Sequence, residues 1–182
     1  MNDFWDFVKT RREATKDNPD QFAERLIDEL VSLGLQQVLD FFQWFESLLD
    51  RANTYELWDA VDIIECGASE STFLDFREWL ILQSQEVYEK ALADPEWLAD
   101  YVQLDTIFTD QGLGGVAYYA YERIMGHYMH PTLQGINTGV KGVKMPYTDE
   151  TRDAVLKARH PKLYAKFGNC ERWGLDQEEV QE

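Results

Sequence analysis

Between Leu35 and Ala52 apolar side chains wrap nearly the whole circumference of a helix: Leu35, Val38, Leu39, Phe41, Phe42, Phe45, Leu48, Leu49 and Ala52. Such a helix has almost no face for water and belongs in the middle of a bundle. The flanking stretches supply its neighbours. Phe4, Trp5 and Val8 share one helical face. Asn18-Pro19 is a cap followed by a first-turn proline, and Phe22, Leu26, Ile27, Leu30 and Val31 form the stripe that follows, with Gly34 as its stop. Thr54 opens a short helix carrying Leu57, Trp58, Val61 and Ile64, which Gly67 ends. Ser69 or Ser71 caps a long helix expected to run to about Leu92 through Phe73, Phe76, Leu80, Val87, Tyr88 and Ala91. Asp94-Pro95 starts another, and Gly115 to Met125 carries Tyr118, Tyr119 and Tyr121. Helices also restart at Thr148 and at His160-Pro161, the latter ending at Gly168. No strand pair is evident. The expected fold is all-α, a single helical-bundle domain of about seven to nine helices with a C-terminal helical extension. Its parts are a helical core over 1–125, a glycine-containing loop over 126–147, a basic helical extension over 148–168 and an acidic tail over 169–182.

Charge divides the chain in the same way. Residues 1–140 hold 9 Lys/Arg against 26 Asp/Glu, whereas residues 141–166 hold 7 against 3. The net charge of −17 repels phosphate backbones, so direct nucleic-acid binding is not expected. A basic protein partner is. The sign also suits a mimic of nucleic acid, but acidity serves solubility as well. No run of about 18 apolar residues offers a membrane span. The opening MNDFWDF is acidic and aromatic, unlike a secretory leader. Two cysteines, Cys66 and Cys170, make no disulfide framework, and the place of Cys170 in a polar tail argues against their pairing. A reduced, cytoplasmic protein is the expectation.

Residues that could carry chemistry are few. Cys66 has Glu65 and Glu70 nearby, which raise a thiol's pKa and favour an inert cysteine. His127 and His130 are spaced H-x-x-H between a glycine and a proline, without the glutamate and continuous helix that a zinc motif needs. The loop GINTGVKGVKMP lacks the lysine placement and following helix of a phosphate loop. It reads instead as a basic connector or a partner-binding loop. Carboxylate pairs such as Asp59/Asp62, Asp75/Glu78 and Glu86/Glu89 share helix faces and read as solvated surface. Arg77 stands between Phe76 and Trp79, close to the core stripe. A buried arginine needs a partner, and Asp59, Asp62 or Glu65 on the preceding helix is expected to supply one. No catalytic residue, metal ligand or cofactor is assigned.

The opening NDFWDFVKTRREATKDNPDQFAERL, the block YELWDAVDIIECGASESTFLDFREWLILQSQEVYEKALADPEWLAD and the helix VAYYAYERIMG together resemble the bacterial family called domain of unknown function 4240. Leu57, Trp58, Ile64, Gly67, Ser69, Phe73, Phe76, Arg77, Trp79, Leu80, Ile81 and Gln83 fall on its pattern, while Ala68 stands where the family often has cysteine. The resemblance covers about two thirds of the chain. It implies the helical fold and supplies no activity. Two roles are therefore carried forward. The first is a non-catalytic acidic interaction protein of bacterial cytoplasm, immunity-type (toxin-neutralising) or regulatory. The second is a small-molecule-binding protein or enzyme with an aromatic and arginine pocket between the helices around Trp58 and Arg77. The residues expected to bind ligand or partner are Trp58, Asp62, Glu65, Ser69, Arg77, Trp79 and Gln83.

Overall fold

The helix Leu35–Arg51, α3, takes the interior place its apolar circumference dictates, with Val38, Phe41, Phe42, Phe45, Leu48 and Leu49 buried. The computed structural model of the chain describes residues 4–15, 18–129, 139–144, 147–148 and 150–170. The other elements are α1 Phe4–Ala14, α2 Pro19–Leu33, α4 Tyr55–Ile64, α5 Glu70–Gln83 and α6 Gln85–Ala93. A single 3₁₀ turn, Pro95–Trp97, leads into α7 Leu98–Tyr101, and α8 Leu113–Met125, α9 Arg152–Arg159 and α10 Pro161–Phe167 follow. Helices α2, α5 and α8 pack around α3. The fold is all-α, and among the described residues the one β-type pairing is an isolated parallel bridge between Thr54 and Lys141.

Local chemistry sets the boundaries. Asn18 accepts the N–H of Gln21, Thr54 that of Leu57 and Ser69 that of Thr72, each satisfying a donor the first helical turn leaves open. Gly34, at φ 94°, both ends α2 and starts α3, a conformation that side chains with a Cβ resist. The helix expected to continue to Leu92 is divided at Ser84. That residue is extended, at φ 179° and ψ 168°, and its hydroxyl accepts the N–H of Val87 to start α6 anew. Tyr88 then reaches the core with no exposed surface, donating its hydroxyl to the Leu48 carbonyl at 2.6 Å.

The extension lies against α4 and α7, and its Leu156, Leu163 and Phe167 join the same apolar core. Its cations meet the carboxylates of α4. Arg152 donates through Nε to Asp62 at 2.7 Å and through Nη2 to the Asp62 carbonyl at 2.9 Å. Arg159 bridges Asp59 and Glu56, the latter at 2.9 Å. The docking of α10 carries Cys170 back over the turn that follows α4. There it forms a disulfide with Cys66, with Cα atoms 5.6 Å apart. The expectation of unpaired cysteines is therefore corrected. Nothing local to either cysteine reveals the pairing, because it depends on helix packing across a separation of 104 residues. Most of the acidic tail, residues 171–182, lies outside the described residues.

Replacing Arg159 by Met leaves the Asp59 carboxylate, 3 % exposed, without its cation. Urea unfolding is expected to show a loss of about 3 kcal/mol, most of it recovered when Asp59→Asn is added.

Candidate functional site

Residues 139–144 form a strap over the junction of α3 and α4. Lys141 donates its backbone N–H to the Asn53 carbonyl, and its own carbonyl accepts from the N–H of Tyr55, both at 2.8 Å. Its ammonium bonds the Asp50 carbonyl at 2.7 Å and the Asp50 carboxylate. At Gly142, φ 90°, the backbone takes a conformation that side chains with a Cβ resist, and the Glu56 carboxylate lies where that Cβ would stand.

Three cavities open beside the strap and share walls. The first, about 450 Å³, is lined by Tyr55, Trp58, Asp59, Glu70, Val140, Lys144 and Tyr147. The second, about 410 Å³, is bounded by Asn53, Trp58, Glu70, Ser71, Leu74, Arg77, Gly139 and Val140. The third, about 330 Å³, lies among Phe45, Glu46, Leu49, Asp50, Asn53, Leu74, Arg77, Glu78 and Gly114. Trp58, Glu70 and Val140 belong to the first two, and Asn53, Leu74 and Arg77 to the last two. Together they form a groove along α3, α4 and α5.

Arg77 stands at the centre of this groove. It donates to the Leu49 carbonyl at 3.0 Å and to the Phe73 carbonyl at 3.4 Å, and its guanidinium lies 4.8 Å from the centre of the Phe73 ring. Leu49 is in the last turn of α3, where carbonyls lack partners within the helix, so the arginine completes that helix end. This corrects the expectation that Arg77 pairs with Asp59, Asp62 or Glu65. Arg159 and Arg152 take Asp59 and Asp62, and the carboxylates around Arg77 are Glu78, Glu46 and Asp50. Burial lowers the arginine's pKa, and those three carboxylates work against the shift. Burial also raises the pKa of Glu46, with Arg77 opposing.

Glu78 is the most constrained group in the groove. It is 4 % exposed, and its Oε2 has no hydrogen-bond partner. Its Oε1 sits 3.0 Å from the place a Cβ on Gly114 would occupy, beside the first turn of α8. Burial, then Asp110 and Asp75, push its carboxyl up to about 7, while the N–H groups of Leu113 and Gly114 pull the other way.

The expected site residues separate into two groups. Trp58 and Arg77 line the groove. Asp62 is buried under Arg152 and accepts the N–H of Ala68 at 2.9 Å, and Ser69 caps α5 while bonding the hydroxyls of Ser71 and Thr72. Glu65 is half-buried at the end of α4. Trp79 packs against Phe76, Tyr101 and Phe108, and Gln83 accepts from the Tyr101 hydroxyl at 3.1 Å. Those two face away from Arg77 across α5. The groove also includes Glu46, Asn53, Glu70 and Leu74, which the sequence does not single out, the strap, part of the glycine loop read as a connector or partner-binding loop, and Glu78, which was expected at a solvated surface and, like Asp59 and Asp62, is buried. The signal available was the lysine-bearing glycine loop, whose Gly139–Lys144 part is the strap.

The other chemical candidates take structural places. Cys66 is in the disulfide. His127 has its Nδ1 3.0 Å from the Tyr128 carbonyl, and His130 lies outside the described residues. His160 is buried with neither ring nitrogen bonded, and burial lowers its pKa. Among the described residues no group of His, Cys, Asp or Glu has the geometry to hold a metal, and no helix is long and apolar enough to cross a membrane.

Fold and groove define a class: an acidic all-α bundle with an open aromatic and polar groove on one face. Residues 1–123 match the family model of the protein of unknown function DUF4240, and the chain belongs to that family. No curated protein and no solved structure matches the chain.

The folded protein holds the Glu78 proton up to about pH 7, against a reference value of 4.5, so its burial costs stability progressively as pH rises through that window. Glu78→Gln keeps an oxygen for the α8 N–H groups. It is expected to raise unfolding free energy by about 2 kcal/mol at pH 8 and to leave it nearly unchanged at pH 4, read by urea titration at both.

Proposed function

We propose that the protein is a non-catalytic interaction protein that receives a segment of a basic protein partner in the groove along α3, α4 and α5. The observation that carries this reading is that three cavities lie side by side, each sharing wall residues with the next, so that successive side chains of one segment have places to enter. The charge of the molecule supports the sign of the partner. Four of the seven cations between 141 and 166 are engaged within the chain: Lys141 with Asp50, Arg152 with Asp62, Arg159 with Asp59, and Lys166 with the carbonyls of Ala99 and Val102. A basic partner meets a field that speeds its capture, and a phosphate backbone is repelled. The role is of the immunity or regulatory kind, and the proposed compartment is the bacterial cytoplasm. There Cys66 and Cys170 would be held as thiols. The docking of α10 would persist through Leu163, Phe167 and the Arg159 pair.

One observation favours a second reading. Arg77, Asn53, Ser71 and Trp58 line a single cavity of about 410 Å³, a size that suits a small anionic ligand with an aromatic wall.

Leu74 lines two of the cavities and is 39 % exposed, so Leu74→Arg changes the groove without opening the core. Tagged protein is expected to retain one stoichiometric partner from its native cells at ~0.5 M salt, where screening shortens to a few ångströms. Leu74→Arg and Trp58→Ala are both expected to lose it, the first with an unfolding temperature close to that of the unaltered protein and the second, which also gives up packing on Phe73, with a lower one but still folded. Retention by both variants moves the interface off the groove. Only salt-sensitive basic proteins in the wild-type sample would remove the reading and turn attention to a ligand lost in Arg77→Met.

A further inference from the structure

The α4 end of the groove differs in chemistry from its centre. Tyr55, Trp58 and Tyr147 contribute three aromatic rings to the cavity of about 450 Å³, with the carboxylates of Asp59 and Glu70 in the same wall. Trp58 is braced by Phe73, ring centres 4.6 Å apart, so its ring is held in place. Tyr55 is the first residue of α4, and its N–H is fixed by the strap. Burial, together with Asp62 and Asp59, keeps the Tyr147 phenol protonated. Aromatic faces carry partial negative charge and attract cations, most strongly where water is excluded. Asp59, though held by Arg159, is part of a local set with Glu56 and Glu70 that outnumbers the cations Arg159 and Lys144. Lys144 is exposed, and its flexible stem lets the ammonium swing into solvent.

We propose that this cavity is a subsite for an organic cation, an alkylated ammonium or a guanidinium with an apolar flank. Aromatic walls suit the apolar flank as well as the charge, whereas a hard metal ion would need more oxygen ligands than this wall provides. The adjoining strap already seats one ammonium nearby, that of Lys141 on the Asp50 carboxylate and carbonyl. The source of the cation is a lysine or arginine side chain on the partner segment. That assignment of source rests on the proposed partner groove, while the chemistry of the subsite does not.

The probe is tetramethylammonium chloride, titrated into the full chain at constant ionic strength and followed by ¹H–¹⁵N correlation spectra. Neopentyl alcohol serves as the neutral control of similar shape. Tetramethylammonium is expected to shift the Trp58 indole N–H and the amides of residues 55–58 and 139–144 saturably, at millimolar concentration. The alcohol should bind at least about 5-fold more weakly. Glu70 is exposed, so Glu70→Gln should leave the spectrum otherwise intact and weaken tetramethylammonium about 3- to 10-fold. Equal binding of the two probes, no saturable shift at Trp58, or full affinity in Glu70→Gln would each overturn the subsite. A cation site that passes these tests, in a protein whose captured partner survives both Leu74→Arg and Trp58→Ala, would leave the subsite standing and move the partner off the groove. Release of the partner by saturating tetramethylammonium would assign the cation to a partner side chain, and retention would assign it to a free ammonium compound.

Discussion

The arrangement of the groove depends on two buried ion pairs, Arg159 with Asp59 and Arg152 with Asp62. Helix α4 presents two carboxylates on a face that the bundle would otherwise bury without compensation. Isolated, they would be costly, and burial still raises the Asp59 carboxyl to about 6. The basic extension supplies both cations from α9. Once α9 is placed, α10 follows onto α4 and α7, Tyr147 comes to the groove's end, and Cys170 reaches Cys66. The uneven charge along the chain is thus partly an internal matching of α9 to α4.

How much of this was legible in the sequence follows from the range of each interaction. Helical periods and caps are local, so α2, α3 and α4 and the capping roles of Asn18 and Thr54 could be read directly, and the cap of α5 to within Ser69 or Ser71, of which it is Ser69. Ser84 was harder. A serine inside a strong apolar stripe reads as a tolerated surface residue, yet its extended backbone restarts the helix. Trp58 and Arg77 were legible because an aromatic and an arginine beside a core stripe are unusual. Trp79 and Gln83 came from the same family-like block and face the other side of α5, where they pack with Tyr101 and Phe108. Motif membership does not report on facing; helical phase does. The partner of Arg77 could not be read, because carbonyls at a helix end compete with carboxylates and leave no trace in composition.

The groove gathers groups that weaken the fold. Glu78 has an unpartnered oxygen, Glu46 is half-buried beside an arginine that bonds carbonyls, and Arg77 is itself partly desolvated. Apolar residues at these places would stabilise the bundle more. Groups held away from both water and full pairing are ready to bond something that arrives from outside, which is why perturbed ionisable residues concentrate at functional sites. Asp59 and Asp62 also perturb the local field, but they are already bonded and belong to the framework.

The strap bears on what that arriving group would be. The strap, bridged to the backbone of Asn53 and Tyr55, delivers a lysine to Asp50, while Val140 lines two of the cavities. The site thus already accommodates a lysine-bearing segment on one side, held by two backbone bonds and one charged contact. A partner segment of the same character would find open cavities beside Val140, with aromatic rings and carboxylates at one end and Arg77 at the centre. On the proposed reading, Trp58, which walls two of the cavities, is the residue through which the two halves of a bound segment would be coupled.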